Sequence, residues 1–140
     1  MGLDYGSKTV GVALSDELQL TAQGHSIIRR DSEKKLRKTL AEIAQIAADY
    51  DVSEIVLGYP KNMDGSEGDR CMKTREFQAL VEKRTGLPVI LWDERLTTVA
   101  ADRAMDEAGL RWDEKKEHVD RIAAELILRG YLDRHAGKNI

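Results

Sequence analysis

The chain of 140 residues carries one cysteine, Cys71, which excludes both an internal disulfide and a cysteine-built zinc site. Only two prolines occur, Pro60 and Pro88, and both sit beside strand-like runs. No apolar run approaches the roughly 20 residues that cross a bilayer. The first residues, Met-Gly-Leu-Asp-Tyr-Gly, have no basic stretch followed by an apolar one, so they do not read as a secretory signal. A cytoplasmic protein without a membrane partner is the expectation. Positive charge is not in excess either. Lys plus Arg is 22 against 25 for Asp plus Glu, a net charge of −3. That argues against coating nucleic acid by charge alone, but leaves room for one basic patch. There is no internal repeat and no low-complexity segment. What remains is a globular composition, 41% hydrophobic and 34% charged, which fits a single domain over residues 1–140. A chain this long buries roughly two thirds of its unfolded surface and needs no staples.

Periodicity orders the chain. Met1 to Tyr5, the link Gly6-Ser7-Lys8 and Thr9 to Ser15 read as a β-hairpin. The first strand looks clipped, and the natural start is expected a few residues upstream. His25 to Arg29 adds a third antiparallel strand. The period then changes. Leu36, Leu40, Ile43 and Ala47 form one helix face behind an Asp31-Ser32 cap. Glu54-Ile55-Val56-Leu57-Gly58 reads as a buried parallel strand. Tyr59 to Asp69, with Pro60, Gly65 and Gly68, reads as a long loop of the kind that is often functional. A second helix puts Phe77, Leu80, Val81 and Arg84 along one side and ends at Gly86. Pro88 opens the strand Val89 to Trp92. Thr98, Ala101, Met105 and Ala108 mark a third helix, stopped by Gly109. A last helix runs from about Lys116 to Arg134, with Val119, Ile122, Ala123 and Leu126 inward. The fold class is α/β: a mixed five-stranded sheet, three antiparallel strands then two parallel, flanked by helices. A plain doubly wound fold would not open with antiparallel hairpins.

Carboxylates stand where such a sheet gathers ligands, at strand ends near the switch in chain direction. Asp4 ends the first strand, Asp93 and Glu94 follow the last, and Asp120 lies early in the final helix. Hard divalent ions want oxygen ligands. Two such ions about 4 Å apart activate a water and stabilise the leaving oxygen of a phosphodiester. Read as structure alone, Asp93 caps the following helix and Asp120 is a solvated helix residue. Asp4 is harder to dismiss, because an unpaired carboxylate in a central strand is costly. Asp93 and Glu94 are adjacent, so in a continuing strand they point to opposite faces, and at most one reaches the ions of Asp4. Glu94 has the longer reach, with Asp93 as the alternative. Asp64, in the long loop, is a further rival ligand.

These residues lie within longer blocks. They are Gly2-Leu3-Asp4-Tyr5-Gly6-Ser7-Lys8-Thr9-Val10-Gly11-Val12-Ala13, Ile55-Val56-Leu57-Gly58-Tyr59-Pro60-Lys61-Asn62-Met63-Asp64-Gly65-Ser66, Leu91-Trp92-Asp93-Glu94-Arg95-Leu96-Thr97-Thr98 and Val119-Asp120-Arg121-Ile122-Ala123-Ala124. In this order they closely resemble the YqgF family, described as Holliday junction resolvases and as nucleases acting on the precursor of 16S ribosomal RNA. The resemblance implies a ribonuclease H-like fold. It implies a metal-dependent endonuclease, a hydrolase of phosphodiester bonds, with Asp4, Glu94 and Asp120 as catalytic and metal-binding residues. The ions implied are Mg²⁺ or Mn²⁺, two of them, bound with substrate. Maturation of the 5′ end of the 16S rRNA precursor is the preferred reading. Resolution of a four-way DNA junction in recombination or repair is the alternative. One departure from the family is the segment Glu114-Lys115-Lys116-Glu117-His118, which is less basic than in relatives.

Lys61, Asn62 and Arg70 flank the glycine loop and are expected to contact phosphates, as are Arg95 after Glu94 and Lys8 in the hairpin. Thr97 reads as a helix cap. His25, His118 and His135 show no metal spacing, and Cys71 has no base in view. The basic run Arg29 to Lys38 reads as solvated helix surface. A resolvase would be a two-fold homodimer, since paired nicks need paired sites. An RNA-processing enzyme works as a monomer. Two other classes compete: a nucleic-acid-binding module without catalysis, and an ATP-binding fragment in which Asp4-Tyr5-Gly6 and Lys8 form a phosphate hairpin. The second needs two such domains around the nucleotide, and 140 residues supply one.

Overall fold

The structure is a computed structural model describing residues 1–6, 8–16, 21–30, 36–60, 67–93 and 112–136, with side chains of the last segment described over 122–134. Five strands form one sheet: β1 (Gly2–Tyr5), β2 (Thr9–Ser15), β3 (Ala22–Arg29), β4 (Ile55–Tyr59) and β5 (Val89–Asp93). Their spatial order is β3-β2-β1-β4-β5. β1 pairs antiparallel with β2 and β2 with β3, whereas β1–β4 and β4–β5 are parallel. This is the mixed sheet expected from the hairpins followed by helix-linked strands. β1 is central, and its carboxyl end lies where the connections diverge to either side. The strands begin or end within a residue or three of the expected limits, Tyr59 closing β4 instead of opening a loop.

Three helices are described: α1 (Leu36–Asp49), α2 (Asp69–Thr85) and α3 (Trp112–Ala136). The segment expected to form a helix around Thr98 to Ala108 lies outside the described residues. α1 and α2 cover one face of the sheet. Leu3, Tyr5, Val10, Val12, Ile55 and Leu57 meet Ile43, Ala47, Phe77 and Val81 there. α3 covers the other face, where Ala124, Ile127, Leu128 and Tyr131 pack on Ala13, Ala22 and Val56. Gly86 ends α2 in the left-handed conformation, φ 72°, and its N–H donates to the Glu82 carbonyl at 2.8 Å, the turn that favours glycine.

Two helix faces differ from the expected ones. In α2 the buried residues are Cys71, Thr74, Phe77 and Val81, so Leu80 and Arg84 face outward and Leu80 is 40% exposed. Small Cys71 and Thr74 extend the buried stripe of Phe77 and Val81, and that stripe outweighs the single leucine. In α3 the buried stripe is Ala123, Ala124, Ile127, Leu128 and Tyr131, while Ile122 and Leu126 are half-buried and the side chain of Val119 lies outside the described residues. Gly2 explains the rotation. A Cβ on Gly2 would lie 2.8 Å from the Ala124 carbonyl oxygen and 2.8 Å from Leu128 Cβ, so α3 rests directly on the β1 backbone.

Candidate active site at the carboxyl end of the central strand

Side chains alternate along β1, so Asp4 shares the α3 face with Gly2, and Leu3 and Tyr5 share the opposite one. Asp4 is half-buried at the carboxyl end of the central strand. Its antiparallel partner is Gly11. On the other side, the register Gly2↔Val56 and Leu3↔Leu57 brings Gly58 alongside it. Glycine on both flanks leaves the space beside the carboxylate free of neighbouring side chains in the sheet. The next residue in that row is Trp92, the partner of Gly58. Trp92 packs on the α3 side, edge-on to Tyr131 at 6.0 Å between ring centroids.

Asp120 belongs to α3, one helical turn before Ala124, the residue resting on Gly2. Further along, Leu128, Tyr131 and Leu132 line a cavity of about 570 Å³ with Met1 and Glu54 at the amino edge of the sheet. Tyr131 donates to Glu54 Oε1 at 2.7 Å there, and burial followed by that carboxylate pushes its hydroxyl up to about 12. Along Leu128, Tyr131 and Leu132 the helix thus reaches the amino edge of the sheet. The Asp120 side chain is outside the described residues.

Glu94, Arg95, Lys61, Asn62 and Asp64 also lie outside the described residues. Asp93 is described. It is exposed at the end of β5 and shares the parity of Val89 and Leu91, which pack on the α1/α2 side. It therefore points away from the face of Asp4. Among the described residues no three His, Cys, Asp or Glu side chains gather as a metal site.

Of the expected phosphate ligands, Lys8 is exposed in the turn beside the Asp4 strand end, and its carbonyl accepts from the Arg30 N–H at 2.9 Å. Arg70 is half-buried. It donates to the Tyr5 carbonyl at 3.0 Å and lies 4.7 Å over the Tyr5 ring. It is thus anchored next to Asp4 in sequence but on the α1/α2 side. Two features escaped sequence reading. Arg30, at the end of β3, also lies over the Tyr5 ring at 4.9 Å and donates to the Gly6 carbonyl at 2.7 Å. Tyr59 precedes, and Glu67 and Arg75 follow, the stretch of sequence that contains Lys61 and Asn62. Tyr59 donates to Glu67 Oε1 at 2.8 Å, and Arg75 pairs with Glu67 at 3.1 Å. Burial first, then the Glu67 hydrogen bond, pushes the Tyr59 hydroxyl up to about 12. The aromatic at position 59 was the only sequence signal for this clamp. His25 is exposed and contacts Ser26 and Tyr50, a structural role. Cys71 is buried with its Sγ 3.4 Å from the Pro60 carbonyl.

The chain is 65% identical over 133 residues to a pre-16S rRNA nuclease, so named, from Agathobacter rectalis, covering 95% of this chain and 93% of that protein. It is 56% identical over 133 residues to a protein of the same name from Lachnospira eligens, covering 95% of each. In structure it resembles Thermus thermophilus RuvC in complex with Holliday junction substrate. The TM-score is 0.60 at 14% identity, over 97% of this chain and 94% of that one. That likeness shows the fold, which is ribonuclease H-like. The family model described as RuvX, Holliday junction resolvase, matches residues 1–134, and with relatives this similar over nearly its whole length the chain belongs to the RuvX/YqgF family.

Proposed function

We propose that the protein is a metal-dependent endonuclease that hydrolyses phosphodiester bonds of structured RNA in maturation of the 5′ end of the 16S rRNA precursor. The observation that carries this reading is the position of Asp4. Its carboxylate stands at the carboxyl end of the central strand, between Gly11 and Gly58, on the face crossed by the helix of Asp120. Asp93 points to the other face, so Glu94, next in sequence, is the carboxylate that β5 would offer to Asp4. An all-carboxylate set beside two glycines suits hard ions such as Mg²⁺ or Mn²⁺. When bound, two such ions supply an activated water and neutralise charge on the leaving oxygen. The chain's own part is to hold the substrate strand. Asp4, Glu94 and Asp120 would hold the ions at the reacting end, and Lys8, Lys61, Asn62, Arg70 and Arg95 take phosphates by charge-assisted hydrogen bonds. Residues 1–140 act as one nuclease domain in the cytoplasm. Among the described residues no helix is long and apolar enough to cross a membrane.

A second reading, resolution of four-way DNA junctions, is favoured by the description of the family model. It requires a homodimer, whereas RNA processing is compatible with a monomer. One experiment separates the two. The protein and its Asp4→Asn variant are incubated with a precursor 16S RNA fragment and with a four-way DNA junction, in Mg²⁺ and in Mn²⁺. Cleavage of the RNA that vanishes in the variant is expected. Cleavage of the junction alone establishes the resolvase instead. Binding of both substrates by both proteins without any cleavage overturns the nuclease reading.

A further inference from the structure

Arg30 is an arginine the fold does not finish using. Its residue is 8% exposed, and its Nη2 donates to the Gly6 carbonyl at 2.7 Å. Its Nε and Nη1 are buried and have no hydrogen-bond partner among the described residues. A buried guanidinium with two unmet donors is costly, and a native structure that keeps one calls for an explanation in a bound ion or ligand. The ring contact does not meet the need. The guanidinium carbon lies 4.9 Å from the Tyr5 centroid, and a ring face attracts the cation without serving as the hydrogen-bond acceptor that the two nitrogens lack. Phe77 stacks on the same ring at 4.0 Å and 8°. That stack fixes Tyr5, and with it the place of Arg30.

A second cation shares the ring. Arg70 lies 4.7 Å over it and is tied to the Tyr5 carbonyl. Arg70 sits in the first turn of α2, a helix of 17 residues whose N-cap, Gly68, supplies no side-chain cap. The positive end of the helix adds to the field of the two guanidinium groups. Lys8 is held beside them through its carbonyl. All of this stands at the carboxyl end of β1, one residue beyond Asp4 and on the opposite face of the sheet.

We propose that Arg30 and Arg70, which share the Tyr5 ring, form a phosphate site that grips the substrate strand at a nucleotide away from the bond to be cut. This rests on the nuclease reading and adds a contact to it. The two unmet nitrogens are closed to water, so the guanidinium turns outward about its Gly6 hydrogen bond to meet the phosphate. A forked pair of N–H donors suits two phosphate oxygens, which a lysine cannot match.

The test separates this site from the chemistry. Melting of the wild-type protein is compared in inorganic phosphate and in chloride at equal ionic strength. Binding of the RNA fragment is measured against salt in an Asp4→Asn background, without metal, so that cleavage plays no part. Phosphate is expected to raise the melting temperature of the wild type. Arg30→Met, which keeps the unbranched stem, is expected to lose that rise, to bind RNA about tenfold more weakly and to lower the salt slope by about 1. Arg30→Lys should recover the charge and only part of the phosphate response. No phosphate-specific rise in the wild type overturns the proposal, whatever the variants do. A lost phosphate response with an unchanged RNA salt slope also overturns it, because the site would then lie off the strand's path. Failure to cleave any substrate, with these responses intact, overturns the nuclease reading and leaves the phosphate site standing.

Discussion

The two faces of the sheet are built from different residues. Under α1 and α2 lie large apolar side chains, Leu3, Val10, Val12, Ile55, Leu57 and Phe77, closed at one end by Tyr5 with Arg30 and Arg70 against its ring. Under α3 lie Gly2, Gly11, Ala13 and Gly58, with Asp4 among them. The first face supplies most of the buried apolar area and hence most of the stability. The second gives up side-chain volume so that a helix rests on backbone and glycines flank a carboxylate. On the proposed function, stability and chemistry divide between opposite sides of the same central strand, with alternating residues of β1 serving each.

The sharpest way to separate the faces is Asp4→Asn. It removes one charge and almost no volume, so cleavage is expected to fall by roughly 10³-fold or more, about 4 kcal/mol of barrier, while the melting temperature stays within ~3 °C. Single-turnover cleavage and thermal melting on the same preparation check both halves. Ile43→Ala is the converse. Ile43 is fully buried in α1 on the side away from Asp4. Its truncation should cost about 3 kcal/mol in urea unfolding, and the folded fraction should keep its cleavage rate. Gly2→Ala tests whether smallness itself is required on the α3 face. The added methyl would stand 2.8 Å from a backbone oxygen, so α3 must shift. A loss of about 2 kcal/mol is expected, together with weaker cleavage, because the helix that moves is the one carrying Asp120.

Strand order and pairing direction were legible from the sequence, because hairpin links and apolar runs of five or so residues leave few ways to assemble a sheet. The position of Asp4, at the end of the central strand, was legible for the same reason. An acid at the end of a strand predicted to be central has little structural excuse. What surrounds Asp4 was not legible. Gly11 and Gly58 become its neighbours only through register, which no single segment encodes. The choice between Asp93 and Glu94 was open in the sequence, and the described half of it now follows from parity, since Asp93 goes with Val89 and Leu91. Leu80 misled because hydrophobicity was weighed without counting small Cys71 and Thr74 as part of the buried stripe. Arg30 misled most. In a run rich in both charges it reads as solvated surface, and only the contact of β3's end with Tyr5 buries it.

The smallest expected effect probes how the α3 face is fastened at its amino edge. The Tyr131 hydroxyl, held by Glu54 at 2.7 Å, titrates at about 12 in the fold, against roughly 10 in an unfolded chain. A folded value raised above the unfolded one means that the contribution is whole below pH ~10 and drains away as the pH climbs toward 12, because the unfolded chain releases the proton first. Tyr131→Phe should cost about 1 kcal/mol at neutral pH through the lost hydrogen bond. It should also flatten part of the alkaline decline. Tyr59 carries a similar shift, so some decline persists in the variant. Urea midpoints at pH 8 and pH 11 measure both effects. A decline as steep in the variant as in the wild type would mean that Tyr131 does not fasten α3 to the start of β4. Cleavage at neutral pH should change little, since this anchor sits at the edge of the sheet opposite Asp4. A large loss of activity would show that the amino edge sets the position of Asp120, and the two ends of the α3 face would then have to be treated as one coupled unit.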